Sequence, residues 1–237
     1  MPSTDRVALV TGATGDLGRA VARRFAADGF RLVLAGTDAD RLRSVAGDLG
    51  LADGKWEAAV ADLTDPDATR AAVERAAERL GPIDVLAHLV GGWTSGGPVT
   101  ELDRDALRDQ LDQHLWTTLN AIDATVPGMV ERGWGRVLAV ATVFATAPGP
   151  RMAAYAVPKI AQETLLRILA RELGSSGVTA NLVVVRQIDA KGERASDPTP
   201  KNAAWVTPEE IAATLGYLAS EAAGAINGAR IPLDGRG

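Results

Sequence analysis

Short apolar runs alternate with longer segments of helical periodicity from one end of the 237-residue sequence to the other. This alternation is typical of βαβ units, whose strands lie parallel in one sheet, and it predicts an α/β fold. Since α/β folds of this length routinely form one domain, a single domain over 1–237 is expected. Strands are predicted at 6–11, 30–35, 56–61, 83–90, 136–141, 178–185 and 229–233.

Helical patterns occupy the segments between the predicted strands. The first helix ends at Gly29, and others are predicted over 68–80 and 152–173. A further long helix has apolar residues at nearly every fourth position, which predicts one apolar stripe that faces the sheet or a partner helix. The stripe consists of Leu107, Leu111, Leu115, Leu119 and Ile122.

The segment 189–206 is polar and has no regular helical or strand period. Such a pattern predicts a mobile loop, and its position after the sixth predicted strand makes it a candidate substrate loop. A helix is predicted directly after it, because Thr207 is followed by Pro208 and, at the third helical position, by Glu210.

The charge balance and the rarity of metal-binding side chains argue against several kinds of function. The net charge is −5 and no basic run occurs, which argues against binding to nucleic acid or to an anionic membrane surface. The absence of cysteine excludes thiolate catalysis, and two histidines are too few for an ordinary zinc site, so no metal is expected.

The first residues, MPSTDRVALV, lack the charged start and long apolar stretch of a signal peptide. No apolar run approaches the roughly 20 residues that cross a bilayer. A cytoplasmic protein without a membrane segment is therefore expected.

A glycine-rich segment, TGATGDLG at 11–18, lies between the first predicted strand and the first helix. Small residues at this position let backbone N–H groups approach a pyrophosphate at the positive end of the helix. Glycines also make ordinary structural turns, but the strand before and the helix after favour a nucleotide site.

The most specific motif is the pair Tyr155 and Lys159, four residues apart in the predicted helix 152–173. At this spacing both side chains project from the same helix face. A tyrosine with its ordinary pKa near 10 is a poor base at neutral pH, so catalysis by Tyr155 needs a neighbouring cation. The alternative is an ordinary amphipathic helix.

With these two motifs the sequence resembles the short-chain dehydrogenase/reductase family over essentially its whole length, and members of the 3-oxoacyl carrier-protein reductase type in particular. The resemblance implies a Rossmann-type fold, which is a doubly wound parallel sheet of about seven strands with helices on both faces, in a homodimer or homotetramer. It also implies that Tyr155 is the general acid/base and that Lys159 lowers its pKa and binds the nicotinamide ribose. Thr142 takes the place of the serine that binds the substrate carbonyl, and Thr146 is a second hydroxyl that could share this role.

The cofactor implied by the family is NADP(H) or NAD(H). A carboxylate at the end of the second strand binds the ribose diol of NAD and repels the 2′-phosphate of NADP. Gly36 and Thr37 stand here instead, which favours NADP(H), although the usual arginine is absent and Asp38 follows. Asp62 matches the aspartate beside the adenine, or it is a loop residue that caps a helix. By resemblance, the nucleotide contacts Gly12, Thr14, Gly15, Asp16, Leu17, Gly18, Gly36, Thr37, Asp62, Leu63, Val90, Gly91, Tyr155, Lys159 and Ile188.

Several family positions carry unusual residues. Asp16 replaces the middle glycine of the loop, and its carboxylate is unfavourable beside a pyrophosphate unless it points away or caps the helix start. His114 replaces a relay asparagine; its ordinary pKa near 6.5 suits proton relay, or it is a structural histidine bonded to a backbone carbonyl. Arg186 replaces a glycine, and it could bind an acidic substrate or a cofactor phosphate, or pair with Asp189. His88 begins the segment that replaces the family's Asn-Asn-Ala-Gly.

Together these residues predict an NADPH-preferring carbonyl reductase that acts on a small-molecule ketone, with Tyr155, Lys159, Thr142 and His114 as its catalytic residues. Two alternatives stay open. The unusual residues also fit a non-redox or regulatory nucleotide-binding protein of the same fold, and they fit an enzyme whose specialised substrate compensates for them. The substrate pocket is expected to include Trp93, Ala145, Met152 and Arg186.

Overall fold

The seven strands form one parallel sheet in the order β3-β2-β1-β4-β5-β6-β7. The structure is a computed structural model that describes residues 6–235. The strands are β1 (Val7–Thr11), β2 (Arg31–Gly36), β3 (Trp56–Val60), β4 (Ile83–His88), β5 (Gly135–Thr142), β6 (Val178–Val185) and β7 (Arg230–Leu233). The predicted α/β fold is confirmed, and the predicted strand ends differ from the observed ones by no more than two residues.

Helices cover both faces of the sheet because successive strand residues point to opposite sides. Val7 and Leu9 join an apolar cluster with three of the helices, and Ala8 and Val10 join a second cluster with three others. The helices are α1 (Asp16–Ala27), α2 (Ala39–Asp48), α3 (Pro66–Leu80), α4 (Arg104–Leu111), α5 (Thr117–Glu131), α6 (Ala153–Leu173), α7 (Glu193–Ser196) and α8 (Pro208–Leu218). The first cluster contains residues of α3, α5 and α6, and the second contains residues of α1, α2 and α8. In the described part of the chain no helix has the length and apolar character that crossing a bilayer requires.

The position of β1 determines where a ligand can bind. It pairs with β2 on one side and with β4 on the other, so the strand order reverses between β1 and β4. In doubly wound sheets the crevice at such a point, beyond the carboxyl ends of the strands, is the usual ligand site. Thr11 and His88, the last residues of β1 and β4, lie at this crevice.

The predicted long helix is interrupted. A π-helical turn, Asp112–Trp116, separates α4 from α5 and inserts an extra residue into one turn. The apolar stripe predicted for 107–122 therefore does not face the sheet as one row: Ile122 is buried, whereas the four leucines of the stripe are only half-buried. Sequence periodicity cannot reveal a single inserted residue of this kind.

The segment 189–206 is more ordered than its composition predicts. It contains α7, and a β-bridge joins Ile188 to Val206 at its two ends. The Asp189 carboxylate accepts hydrogen bonds from the backbone N–H groups of Glu193 and Arg194, at 2.8 and 2.9 Å. The prediction of a loop without helical structure was wrong, because side-chain capping rather than apolar periodicity organises it. The predicted start of the next helix is confirmed: Thr207 and Glu210 form a capping box at α8.

The packing of α1 against the glycine-rich loop gives a direct test of the fold. A Cβ atom at Gly18 would lie 2.2 Å from the carbonyl oxygen of Gly12, so the backbone must shift to accept it. We expect Gly18→Ala to lower the free energy of unfolding by about 1–3 kcal/mol, the usual cost of overpacking. In α2, a Cβ added at Gly47 would meet no atom within 4 Å apart from the adjoining backbone of its own helix, so Gly47→Ala should instead stabilise the protein by roughly 0.5–1 kcal/mol. Urea unfolding of both variants measures the two changes, and equal effects would contradict the packing argument.

Candidate active site

Two adjoining cavities lie at the carboxyl ends of the strands. The first, of about 550 Å³, is called the tyrosine cavity here, and the second, of about 640 Å³, the glycine-loop cavity. The tyrosine cavity is lined by Leu17, 88–93, His114, 140–142, Phe144, Tyr155, Lys159 and 185–188. The glycine-loop cavity is lined by Gly12, Thr14, Gly15, Gly36, Thr37, 61–64, 89–91, Asp109, Asp112, Gln113 and Thr117. The shared residues 89–91 make the two cavities parts of one crevice.

Most of the residues singled out in the sequence line this crevice, although they come from distant segments. The exceptions, which line neither cavity, include Asp16, Gly18, Ala145, Thr146 and Met152. Gly18 is buried under the loop, and Asp16 is exposed at the first position of α1. Ala145 is buried in the turn after β5, and the sulfur of Met152 accepts a hydrogen bond from the Gly149 amide at 3.3 Å.

The glycine-rich loop has the shape of a nucleotide cradle. Gly12 has a φ of +63°, in the left-handed region that favours glycine, and a Cβ there would lie 3.0 Å from the Leu89 carbonyl oxygen. Gly15 is the N-cap of α1, so the positive end of that helix faces the glycine-loop cavity. The exposed Asp16 carboxylate also lies at this helix end, where a negative charge is favourable. These residues fit a dinucleotide, whose pyrophosphate the loop amides would bind.

The turn after β3 is held by a residue that the sequence analysis missed. The Nδ2 amide of Asn120, buried on α5, donates to the carbonyl oxygens of Leu63 and Thr64 at 2.9 and 3.1 Å. The Asp62 carboxylate accepts from the backbone N–H and the hydroxyl of Thr64, and these bonds lower the pKa of Asp62. Asp62 therefore does not cap a helix, because Asp65 is the N-cap of α3.

The end of β2 presents no carboxylate to the glycine-loop cavity. Gly36 and Thr37 line it, whereas the side chain of Asp38 caps α2 by accepting from the backbone N–H groups of Asp40 and Arg41. The same cavity is lined by Asp62, Asp109 and Asp112, and no Lys or Arg of residues 6–235 lines it.

Tyr155 and Thr142 meet in the tyrosine cavity. Burial raises the pKa of Tyr155, and a hydrogen bond with the Thr142 hydroxyl opposes this rise. The phenol is therefore protonated at neutral pH, the form that donates a proton. The alternative hydroxyl, that of Thr146, is hydrogen-bonded to Arg230 at 3.1 Å. Lowering of the Tyr155 pKa by Lys159 stays a prediction.

Lys159 is a buried ammonium with a fixed set of partners. Its Nζ donates to the Val140 carbonyl oxygen at 2.8 Å and to Oε1 of Gln162 at 2.9 Å. Gln162 in turn donates through Nε2 to the hydroxyl of Thr118 at 2.8 Å. Burial lowers the pKa of Lys159 to about 8, while the charge of Glu163 raises it.

Glu163 links Lys159 to the far edge of the sheet. Its carboxylate is buried, and its Oε1 accepts from Nε of Arg230 on β7 at 3.0 Å. Arg230 also donates to the Thr146 hydroxyl, beyond the end of β5. Gln162 and Glu163 lie three and four residues after Lys159, so helical spacing would have placed them beside it. No signal in the sequence pairs Glu163 with Arg230, because they are 67 residues apart.

Both histidines are buried and neutral. His88 accepts at Nδ1 from the Thr11 hydroxyl at 3.0 Å and donates from Nε2 to Thr117 at 3.2 Å, since the Thr117 hydroxyl itself donates to a carbonyl. Burial, reinforced by the charge of Lys159, lowers the pKa of each histidine to about 3.

His114 lies in the π-helical turn and donates from Nε2 to the Gly92 carbonyl oxygen at 3.0 Å. Its ring packs edge-on to Tyr155, with 5.9 Å between the ring centroids, and a Cβ at Gly91 would lie 2.7 Å from its Cε1 atom. The expectation that His114 titrates near 6.5 was wrong, because burial disfavours the imidazolium. Its Nδ1 atom is buried and has no hydrogen-bond partner among the described residues.

The remaining predicted substrate contacts are Trp93 and Arg186, and both line the tyrosine cavity. Trp93 is 66% exposed, so its ring is not a packing residue of the core. Arg186 does not pair with Asp189, whose carboxylate accepts hydrogen bonds from the backbone N–H groups of Glu193 and Arg194, the first two residues of α7. Its guanidinium lies instead 5.6 Å from the centroid of the Phe144 ring. Residues 6–235 contain no cluster of three or more potential metal ligands.

A family model described as short chain dehydrogenase matches residues 6–200, which carry the glycine loop, Thr142, Tyr155 and Lys159. The chain belongs to the short-chain dehydrogenase family. Its members are oxidoreductases that use nicotinamide nucleotides and act on hydroxyl or carbonyl groups of small molecules.

Similar proteins match this short-chain dehydrogenase along almost its full length. The D-beta-hydroxybutyrate dehydrogenase of Rhizobium meliloti is 27% identical over 263 residues, covering 97% of each chain. The acetoacetyl-CoA reductase of Cupriavidus necator is 29% identical over 243 residues, covering 98% of each. The solved structure of a short-chain type dehydrogenase/reductase from Mycobacterium ulcerans has a TM-score of 0.89 at 26% identity, covering 100% of this chain and 90% of that one. These relatives give no support to a non-redox function.

The Glu163 carboxylate predicts a specific pH dependence for this short-chain dehydrogenase. Ketone reduction should decline in the wild type as the pH rises through about 8, where Lys159 loses its charge. Because Glu163 raises the pKa of Lys159, Glu163→Gln should move this decline to lower pH. The profile of kcat/KM against pH measures the change. Glu172→Gln, an exposed change on the same helix, is the control, and identical profiles for the two variants would contradict the role of Glu163.

Proposed function

We propose that the protein interconverts a ketone and an alcohol with NADP(H) or NAD(H), chiefly as an NADPH-dependent carbonyl reductase in which Tyr155 is the general acid. One observation carries this proposal: Tyr155, Thr142 and Lys159 line one cavity, and that cavity joins the one lined by the glycine-rich loop. A nucleotide in the loop would extend along residues 89–91 towards Tyr155. When bound, the nicotinamide supplies or accepts a hydride.

Tyr155 has the protonation state that reduction requires. Burial raises the pKa of Tyr155, so its phenol carries a proton at neutral pH and can donate it to the carbonyl oxygen as negative charge develops there. The Thr142 hydroxyl, hydrogen-bonded to the phenol, is placed to bind the same oxygen. Alcohol oxidation needs the phenolate instead, so the reverse reaction is favoured at higher pH.

Lys159 keeps a positive charge beside the reacting groups. An ammonium has three N–H donors, and the bonds to Val140 and Gln162 use two of them. The third remains for a ribose hydroxyl of the nucleotide. His114 contributes as a neutral acceptor: its free Nδ1 atom can bind a water molecule or a hydroxyl that returns protons to the site.

The cofactor preference is predicted to be for NADP(H), but to be small. No carboxylate at the end of β2 repels a 2′-phosphate, because Asp38 caps α2. Among the described residues, no Lys or Arg lines the glycine-loop cavity, and three aspartates do. The 2′-phosphate of NADP(H) would therefore form no ion pair with the lining. We therefore expect a ratio of dissociation constants within about tenfold, which corresponds to roughly 1.4 kcal/mol.

A homodimer or homotetramer is also proposed. Apolar side chains remain exposed on and beside the helices that follow β4 and β5: Trp116 at 48%, Val157 at 48% and Ile168 at 49%. An interface between copies would cover such residues. The cytoplasmic location expected from the N-terminal sequence stays a prediction, and residues 1–5 lie outside the described residues.

Tyr155→Phe tests the catalytic assignment. This change keeps the ring and removes the proton donor, so kcat/KM for ketones or β-ketoacyl thioesters should fall by about 10²- to 10⁴-fold. NADPH affinity, followed by nicotinamide fluorescence, should stay within about twofold, because the change removes one hydroxyl and leaves the ring and the glycine-rich loop in place. Tyr217→Phe alters the other tyrosine, which is 49% exposed on α8, and should leave turnover unchanged. Turnover by the Tyr155→Phe protein at the wild-type rate would refute the mechanism.

Gly36→Asp tests the cofactor preference. A Cβ at Gly36 meets only the Leu42 side chain, at 3.4 Å, so the fold should tolerate the change. The new carboxylate should weaken NADPH binding at least tenfold relative to NADH binding, through repulsion of the 2′-phosphate and a new bond to the ribose diol. Gly36→Asn is the uncharged control of the same shape. Titration of each variant with each nucleotide gives four dissociation constants to compare with those of the wild type. Equal weakening of NADPH and NADH binding by the aspartate would contradict the proposed ribose position.

A further inference from the structure

Arg186 presents an unpaired charge to the tyrosine cavity. Its side chain is exposed, and none of the ion pairs among residues 6–235 includes it. Its position is nevertheless defined, because the guanidinium lies 5.6 Å from the centroid of the Phe144 ring, a contact within cation–π range. The charge is therefore available for a ligand.

The side chains lining the tyrosine cavity carry positive charge, whereas the whole protein has a net negative charge. The chain has a net charge of −5, yet the described side chains lining the tyrosine cavity include the cations Lys159 and Arg186 and no carboxylate. Both lining histidines are neutral, and the nearest acid in the sequence, Asp189, is bonded to backbone amides. A cleft lined by one sign of charge favours a ligand of the other sign.

The charge lies on the substrate side of the crevice. Phe144, on which Arg186 packs, is two residues beyond Thr142, the residue expected to bind the carbonyl oxygen. The glycine loop and Thr37, which would contact the pyrophosphate and the adenosine ribose, line the other cavity, and Arg186 does not. A role in binding the cofactor phosphates is therefore disfavoured.

We propose that Arg186 is an anion-binding residue of the substrate site and that the natural substrate is a small oxo or hydroxy acid whose carboxylate it binds. This inference rests on the proposed function, because it assigns the substrate class of the same site. A guanidinium presents a planar pair of N–H donors that matches a carboxylate in a bidentate geometry. The volume of about 550 Å³ must also accept the nicotinamide, which favours a compact acid.

A matched pair of substrates tests this subsite. A β-keto acid and its methyl ester differ in charge but share the reacting carbonyl. In the wild type we expect kcat/KM to be at least about tenfold higher for the acid, as one charge-assisted hydrogen bond provides. Arg186→Gln should lower the value for the acid by roughly 10- to 100-fold and leave the ester within about twofold. For the acid, kcat/KM of Arg186→Lys should lie between the values of the wild type and Arg186→Gln, because lysine keeps the positive charge but lacks the planar pair of N–H donors.

Binding measurements separate this inference from the proposed function. Calorimetric titration of the NADPH complex with a non-reducible analogue of the acid should give weaker binding for Arg186→Gln than for the wild type, even if neither substrate turns over. Arg70→Gln, an exposed change on α3 outside both cavities, controls for the lost net charge and should match the wild type.

Three results would overturn the proposal. Equal wild-type kcat/KM for acid and ester would remove the anion preference. An equal loss for both substrates in Arg186→Gln would make the residue a structural one. Weaker NADPH binding by Arg186→Gln, with analogue binding unchanged, would assign the guanidinium to the cofactor phosphates. Absence of turnover for both substrates, with analogue binding still dependent on Arg186, would contradict the proposed reductase and leave the anion subsite standing.

Discussion

The buried ammonium group of Lys159 is the constraint around which the candidate site is organised. A charge removed from water is costly unless hydrogen bonds and an opposite charge compensate it. Here the Val140 carbonyl, the Gln162 side chain and the carboxylate of Glu163 provide that compensation. Burial and the same charge disfavour protonation of both histidines, so these two rings add no positive charge to the site at neutral pH.

This arrangement connects three parts of the sheet. Glu163 on α6 is paired with Arg230 on β7, and Arg230 reaches the Thr146 hydroxyl beyond β5. Thr142 ends β5 and Phe144 lies in the turn that follows, so the position of the hydroxyl proposed to bind the carbonyl is tied to Arg230 on β7. A pair that is buried on one side, with Glu163 fully enclosed and Arg230 half-exposed, fixes geometry more than it adds stability.

The two cavities of the crevice differ in the charge of the side chains that line them. The glycine-loop cavity is lined by aspartates and relies on backbone N–H groups and a helix end to receive phosphates, whereas the tyrosine cavity contains the basic side chains. Such a division suits a site where a nucleotide lies across one half and an anionic group is recognised in the other.

Sequence periodicity predicted the sheet well, because strands buried on both faces read as continuous apolar runs. It failed where one residue or one side chain decides the local structure: the π-helical turn at Asp112–Trp116 and the segment organised by Asp189. Resemblance to a family located Tyr155, Lys159 and the glycine loop, since these residues are close in sequence or tied to a strand–helix junction. It could not give the roles of Glu163, Arg230 and Asn120, whose partners are distant in the chain.

The sequence by itself determined the parallel α/β fold, the glycine-rich loop and the Tyr155–Lys159 pair. Each follows from the spacing of residues within one short segment, because the periods of helices and strands fix which side chains share a face. Tertiary structure alone decided the protonation states and charge pairing of the side chains in the site. The ordinary pKa of a histidine is near 6.5, but burial, reinforced by the charge of Lys159, lowers the pKa of His114 to about 3. Arg186 is free to meet a ligand because folding directs Asp189 to backbone amides and places the guanidinium over Phe144. Desolvation and pairing depend on which groups surround a charge, and distant segments supply those groups only when the chain is folded.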